Sequence, residues 1–240
     1  MSDNKNQLVL FDAGGVLVKL DYNSFYKRAS ELAKTSLEKF REAFNNSGIE
    51  LRGLTGKATK TDIKNGLRRL ISQPDMSDTD IKELSRLRFK SQPEIVGLKK
   101  QVHESRYSIG IFSNADEFSL EILSEKYPEM FETYGGPKIY SHHVGAIKPD
   151  SPMYDEIQAM GFENVVYIDD NMNYVETGVK RFGWNGILFT PYIDEAEAIR
   201  SISNHNDDNS KEKCSSKIVK STQELKKALN DFGIKINTLS

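Results

Sequence analysis

The sequence predicts an α/β protein that has a Rossmann-like parallel sheet and an inserted all-helical domain. Three apolar runs, at 8–11, 108–112 and 165–168, each lead into a polar side chain. Helical patterns follow the second and third runs, and strands that alternate with helices form right-handed βαβ units in a parallel sheet. Residues 21–92 show helical spacing alone, which predicts an all-helical insertion after the first strand.

The elements of the core are predicted from local signals. Leu8 to Phe11 form a continuous hydrophobic run, which is typical of a strand covered on both faces. Pro149 is expected to open the helix that follows it, and Ser221 with Glu224 to form a capping box. The remaining core elements are expected as helix 93–104, strand 108–112, helix 116–126, strand 139–140, helix 151–160, strand 165–168, helix 172–182, strand 186–189, a segment at 218–219 and helix 225–232.

The insertion is expected to contain about four helices, because its apolar residues recur at three- and four-residue spacing. Thr61 or Asp62 would cap the helix that begins near Ile63. The predicted domains are therefore residues 1–20 and 93–240 for the core and 21–92 for the helical cap. Residues 203–216 contain almost nothing apolar and are expected to form a mobile surface loop.

Composition narrows the classes of partner. The chain of 240 residues has 33 basic and 35 acidic side chains and a net charge of −2, so no nucleic-acid partner is expected. Its single cysteine, Cys214, cannot form an internal disulfide, which fits a reducing compartment. The polar start is unlike a secretory signal peptide, and no apolar run has membrane-spanning length. We expect a cytoplasmic protein without a membrane partner, and nothing indicates its oligomeric state.

Four segments carry residues suited to chemistry, and they occur near predicted strand or helix ends. Ligands and reactants collect at the carboxyl ends of strands in open α/β sheets. Alone, each segment has an ordinary interpretation: a strand-ending aspartate before glycine is a turn former, and a lone lysine is a surface charge. The informative observation is that all four segments occur in one chain and in this order. The segments are Asp12 before Gly14-Gly15, Ser113-Asn114, Lys148-Pro149, and Asp169-Asp170.

In order and context, these segments resemble the four motifs of the haloacid dehalogenase (HAD) superfamily of phosphotransferases and hydrolases. The resemblance runs from about Leu8 to Phe189, resumes in the last strand–helix pair, and is greatest for the subgroup with a helical cap inserted after the first motif. It implies a nucleophile that forms an aspartyl-phosphate, groups that bind phosphate oxygens, and a Mg²⁺ site. The implied roles are nucleophile for Asp12, phosphate binding for Ser113 and Asn114, charge neutralisation for Lys148, and metal binding for Asp12, Asp169, Asp170 and the Gly14 carbonyl.

One position departs from the pattern. Most phosphatases of this superfamily carry a second aspartate two residues after the nucleophile, where it acts as general acid and base, and this chain has Gly14. Such assistance is worth about 10²–10⁴ in rate. A substrate with a good leaving group, such as a sugar 1-phosphate or an acyl phosphate, needs less of it.

Three functions remain open, and the sequence favours the first. It is a Mg²⁺-dependent hydrolase of a small phosphorylated metabolite. The second is a weak or inactive binding protein, although the retained Asp12, Ser113, Lys148 and acid pair argue against it. The third is a metal-independent 2-haloacid dehalogenase. Dehalogenases share the start Phe11-Asp-Ala13 but carry neutral residues where this chain has Asp169-Asp170, which argues for a cation.

Overall fold

The computed structural model describes residues 4–191 and 216–236. Its strands are β1 (Gln7–Phe11), β2 (Val18–Leu20), β3 (Phe89–Ser91), β4 (Ser108–Ser113), β5 (Lys138–Tyr140), β6 (Asn164–Asp169), β7 (Asn185–Phe189) and β8 (Ser216–Val219). Six of them form one sheet in the order β5-β4-β1-β6-β7-β8, and every pairing in it is parallel. The predicted α/β architecture with a parallel sheet is confirmed.

Strand β1 lies in the middle of this sheet, and its last four side chains are fully buried. Phe11 is in register with Ile111 of β4 and with Ile168 of β6. The next residue of each strand therefore stands at the same level of the carboxyl edge. These residues are Asp12, Phe112 and Asp169, so the register alone brings two of the predicted site residues side by side.

Helices surround the sheet and fill the connections between strands. The described α-helices are α1 (Tyr22–Leu32), α2 (Leu37–Asn46), α3 (Ile49–Leu54), α4 (Lys60–Leu70), α5 (Asp78–Arg86), α6 (Pro93–Glu104), α7 (Glu117–Lys126), α8 (Ser141–Val144), α9 (Ser151–Gln158), α10 (Met172–Phe182) and α11 (Thr222–Asp231). None of the helices in the described ranges is long and apolar enough to cross a membrane.

The predicted start of α9 at residue 151 is confirmed, but the proline that was expected to open this helix was wrong. Asp150 is the N-cap, the helix begins at Ser151, and the proline in its first turn is Pro152 instead of Pro149. Either proline could take a position where the missing N–H costs nothing, so the sequence signal was ambiguous.

At α11, Ser221 accepts the N–H of Glu224, but the Glu224 carboxylate accepts the N–H of Lys220, which completes only half of the predicted capping box.

Five helices, α1 to α5, lie between β2 and β3 and are called the helical insertion below. Sequence periodicity found four of them and missed α3, because six residues are too few to establish a period. It also missed β2 and β3, which pair antiparallel where the insertion meets the core. The cap of α4 is Thr59, which bonds reciprocally with Asp62, and the predicted caps were wrong by two or three residues.

Aromatic rings and ion pairs hold the insertion together and against the core. Phe25, Tyr26, Phe40 and Phe44 pack with ring centroids 5.5–6.5 Å apart. Along α7, glutamates at four-residue spacing face basic side chains of α4 and α5. We call these six residues the ion-pair stripe: Glu117, Glu121, Glu125, Lys60, Lys82 and Arg86.

The loop predicted over residues 203–216 lies mostly outside the part of the chain that the structure describes. Residues 203–215 of the expected loop, including Cys214, lie outside the described residues. Ser216 was expected in that loop but is the first residue of β8.

Candidate active site

Asp12 is held at the carboxyl edge of the sheet by its own backbone. Its N–H donates to the Ile168 carbonyl at 2.9 Å, which continues the β1–β6 hydrogen bonding by one residue. The residue is 7% exposed. Ser113, the last residue of β4, is buried beside it and hydrogen-bonds its carboxylate. The predicted nucleophile is therefore rigid and largely shielded from water.

Lys148 lies at the centre of the site and is 1% exposed. Its Nζ is surrounded by four oxygens. It donates to Asp12 Oδ1 at 3.0 Å and to Asp169 Oδ2 at 2.6 Å. The Phe112 carbonyl and the Tyr167 hydroxyl are each 3.0 Å away. The Lys148 ammonium thus contacts both Asp12, which follows β1, and Asp169, which ends the adjacent strand β6.

Asn114 holds the backbone of this lysine. Its Oδ1 accepts the Lys148 N–H at 2.8 Å, and its Nδ2 donates to the Lys148 carbonyl at 3.3 Å. Nδ2 is also 3.4 Å from the Tyr174 hydroxyl. The sequence interpretation placed Asn114 on phosphate oxygens, which stays a prediction. The structure adds that its amide group fixes the loop on which Lys148 stands.

The charges of Asp12 and Lys148 depend on each other. Burial, with the neighbouring charge of Asp169, raises the pKa of Asp12 to about 6, although Lys148 and Ser113 oppose the rise. Burial would lower the pKa of Lys148, but the charges of Asp12 and Asp169 outweigh it and hold that pKa above its ordinary value. Lys148 therefore carries a positive charge at neutral pH.

Asp170 is the third acid of the site and packs against Gly15. A Cβ placed on Gly15 would lie 1.9 Å from Asp170 Oδ2, and the φ of Gly15 is +82°, so only glycine fits there. Burial, together with the charges of Asp12 and Asp169, raises the pKa of Asp170 to about 8. The charge of Lys148 offsets this rise only in part, so the ionised form of Asp170 is disfavoured.

The three carboxylates suit a divalent cation. Asp12, Asp169 and Asp170 each offer an oxygen, and these oxygens lie within 4.8 Å of one another. Lys148 neutralises one of the three charges at most. Mg²⁺ prefers a few carboxylates together with waters and substrate phosphate oxygens. The donor set and its unbalanced charge both fit such an ion.

The position after Ala13 is apolar. Leu20 Cδ1 is 3.1 Å from where a Cβ of Gly14 would stand. Leu20 is itself 39% exposed, so its side chain borders the site. The position two residues after Asp12 is therefore bordered by a hydrocarbon side chain.

The structure brings together the side chains that the sequence marked, which are those of Asp12, Ser113, Asn114, Lys148, Asp169 and Asp170. Sequence reasoning missed Tyr167. Its signal was available, because it stands two residues before Asp169 on β6, and such residues share a face of a strand.

No family model matches the chain. Solved structures do resemble it. The HAD-family enzyme BT-2542 of Bacteroides thetaiotaomicron, in a complex with magnesium and inorganic phosphate, superposes with a TM-score of 0.66 at 18% identity, over 81% of this chain and 99% of that one. The chain has the haloacid dehalogenase fold. The resemblance drawn from the four motifs is confirmed at this level.

Two further HAD-fold structures show how much chemistry the fold accommodates. A predicted HAD-like hydrolase from Porphyromonas gingivalis matches with a TM-score of 0.63 at 18% identity, over 83% of this chain and 98% of that one. The L-2-haloacid dehalogenase of Xanthobacter autotrophicus, with chloropropionic acid covalently bound, matches with a TM-score of 0.59 at 14% identity, over 93% and 98%. Function must therefore be argued from the site itself.

Proposed function

We propose that the protein is a Mg²⁺-dependent phosphomonoester hydrolase that acts through a covalent phosphoryl group on Asp12. The observation that carries this proposal is the cluster of Asp12, Asp169 and Asp170 oxygens within 4.8 Å of one another. Hydrolysis of a carbon–halogen bond needs no cation, whereas phosphoryl transfer needs neutralisation of the phosphate charge. A cluster with an excess of negative charge supports the second reaction.

Asp12 begins the reaction. One carboxylate oxygen attacks phosphorus, the new O–P bond forms, and the bond to the leaving oxygen breaks with its electron pair. Lys148 keeps this carboxylate ionised and lies where it can also neutralise phosphate oxygens. Ser113 and Asn114 would donate hydrogen bonds to those oxygens. Water then attacks the aspartyl-phosphate, which releases inorganic phosphate and restores the Asp12 carboxylate.

Asp12, Asp170 and the Gly14 carbonyl would hold Mg²⁺, whose chemistry at this site is to neutralise phosphate oxygens. Asp169 is less available. Its Oδ2 accepts from Lys148 and from the Tyr167 hydroxyl, and its Oδ1 accepts the Asn171 N–H at 2.8 Å. We therefore assign Asp169 mainly to Lys148 and the direct metal contact to Asp170.

The preferred substrates would be phosphates with good leaving groups. Gly14 cannot donate a proton to the departing oxygen, and Leu20 occupies the adjacent space. Leaving groups of low pKa depart without that proton, so aryl, acyl and anomeric sugar phosphates are the class we propose. Simple alkyl phosphates would be poor substrates.

The test is release of inorganic phosphate from an aryl, an acyl and an anomeric sugar phosphate, each measured with Mg²⁺, with a chelator, and with the Asp12→Ala variant. We expect release only from the wild-type protein in the presence of Mg²⁺. Halide release from 2-chloropropionate, measured in parallel and unaffected by chelator, would overturn the proposal in favour of a dehalogenase. Phosphate binding with no turnover of any of the three substrate types would favour a binding protein.

A further inference from the structure

The Tyr167 hydroxyl lies between the two charged groups that meet at the centre of the site. Its oxygen is 3.0 Å from Lys148 Nζ, and it donates a hydrogen bond to Asp169 Oδ2. The whole side chain is inaccessible to solvent. A hydroxyl in this place touches both partners of the Lys148–Asp169 ion pair.

The chemistry of the two charged groups fixes the direction of these bonds. An ammonium only donates hydrogen bonds, and a carboxylate only accepts them. The Tyr167 hydroxyl therefore accepts from Lys148 Nζ and donates its hydrogen to Asp169 Oδ2. Asp169 Oδ2 thus receives two donors and is held in one orientation.

The ring of Tyr167 has no room to move this hydroxyl elsewhere. Its centroid lies 5.3 Å from that of Phe112, 6.4 Å from Tyr154 and 5.9 Å from Trp184, all with edge-on geometry. These neighbours are themselves buried. In such a close-packed cluster a side chain keeps one rotamer, so the hydroxyl is a fixed point in the site.

We propose that Tyr167 is a positioning residue for phosphoryl transfer, which holds Asp169 against Lys148 and thereby keeps the ammonium on Asp12. This inference rests on the proposed function. Without the hydroxyl, Asp169 Oδ2 loses one donor and its carboxylate is free to rotate toward the cluster of acids. The Lys148 ammonium is then no longer held in one position between Asp12 and Asp169, although its hydrogen bonds to both carboxylates remain possible.

The expected effect is on the chemical step. A buried hydrogen bond to a charged group corresponds to about a tenfold change in rate. For Tyr167→Phe we expect kcat on an aryl phosphate to fall about tenfold while KM changes little, because a lysine held less firmly beside the nucleophile affects the transition state more than substrate binding. Apolar volume is conserved, so the fold should persist.

Tyr154→Phe is the matched control. Tyr154 belongs to the same aromatic cluster, and its hydroxyl donates to the Tyr174 carbonyl at 2.9 Å. Within the described residues, this hydroxyl hydrogen-bonds neither Lys148 nor Asp169. Four quantities are compared for both variants: kcat, KM, the affinity for inorganic phosphate with Mg²⁺ by calorimetry, and the midpoint of thermal unfolding. A purely structural role would shift the midpoint and leave kcat per folded molecule unchanged in both.

A selective loss of kcat in Tyr167→Phe, with Tyr154→Phe close to wild type, supports the inference. Equal kcat in Tyr167→Phe and wild type overturns the inference alone and leaves the proposed function standing. A wild-type protein that neither releases nor binds inorganic phosphate overturns the proposed function and this inference with it.

Discussion

The ammonium of Lys148 lies 3.0 Å from Oδ1 of Asp12, in an environment that excludes nearly all water. The two residues are far apart in the chain, and Asn114 fixes the backbone of Lys148 in the loop before Pro149. Burial makes the contact strong, since neither charge can be solvated. Burial also means that each of the two groups stays charged in the folded protein because the other one is charged.

Lys148→Met should therefore affect both stability and turnover. Removing one partner leaves Asp12 and Asp169 buried without their cation, which typically costs about 3–5 kcal/mol of unfolding free energy. We expect turnover to fall by about 10²–10³-fold or more, as for other donors that neutralise a transition state. Chemical denaturation and steady-state kinetics measure the two effects.

Lys180→Met is the control for that variant. Lys180 is exposed and pairs with Glu176 one turn away on α10, so its loss should leave both quantities close to wild type. If Lys148→Met unfolded at the same denaturant concentration as the control and kept its turnover, the central role of this lysine would be refuted.

The stabilising effect of Mg²⁺ should increase with pH. In the metal-free folded protein the pKa of Asp12 is about 6 and that of Asp170 about 8, against an ordinary value of 3.8. Between these values the folded protein binds more protons than the unfolded chain, so stability falls as pH rises through this range. Mg²⁺ would relieve the repulsion among the ionised carboxylates, but at the lower pH values it must compete with protons for the same oxygens.

We expect the Mg²⁺-induced rise in unfolding temperature to be larger at about pH 8.5 than at about pH 5.5. Differential scanning calorimetry with and without Mg²⁺ measures it, and Asp170→Asn should reduce the difference. A Mg²⁺ effect of equal size at both pH values would contradict the assignment of these carboxylates to the metal.

The ion-pair stripe should make attachment of the helical insertion sensitive to salt. Glu121 lies 3.0 Å from Lys60 and 2.6 Å from Lys82, and these contacts lower its pKa. We expect Glu121→Gln to cost about 0.5–1 kcal/mol at low salt. The loss should shrink at about 1 M salt, where the screening length is about 3 Å.

Hydrogen exchange locates this effect. Amides of α5 should exchange faster in Glu121→Gln, because Lys82 loses one of its two acidic partners. Glu176→Gln, which removes a pair confined to α10, is the matched control. Equal exchange of α5 in both variants would show that the stripe does not hold the insertion.

A general acid at position 14 should broaden the range of leaving groups. Gly14 has no positive φ, so an aspartate is tolerated there once Leu20 is shortened. For Gly14→Asp with Leu20→Ala we expect turnover of alkyl phosphates to rise by about 10² or more, with little gain on aryl phosphates. The rate measured across substituted phenyl and alkyl phosphates gives this dependence.

Leu20→Ala alone serves as the control for that double variant, since it creates the space without the acid. If the wild-type protein already hydrolysed alkyl and aryl phosphates at similar rates, another group would have to protonate the leaving oxygen. The proposed substrate class would then be wrong.

The sequence could predict the features that depend on long, periodic or strand-ending signals. Leu8 to Phe11 could be placed because their run is continuous, and Asp12 because it ends that run. Short elements such as β2 and β3 escaped, since three residues carry no pattern. Tyr167 escaped for a different reason: its place two residues before Asp169 on β6 could be read, but nothing in the sequence places the Lys148 ammonium beside its hydroxyl.

The most direct test of the account is whether Asp12 carries a phosphoryl group during turnover. The protein would be mixed with Mg²⁺ and acetyl phosphate, quenched in acid and digested, and the peptide that contains Asp12 analysed by mass spectrometry. We expect the mass of one phosphoryl group on Asp12, removed by hydroxylamine and absent from Asp12→Asn. Phosphate release by the wild type without this adduct, or an adduct that persists in Asp12→Asn, would contradict it.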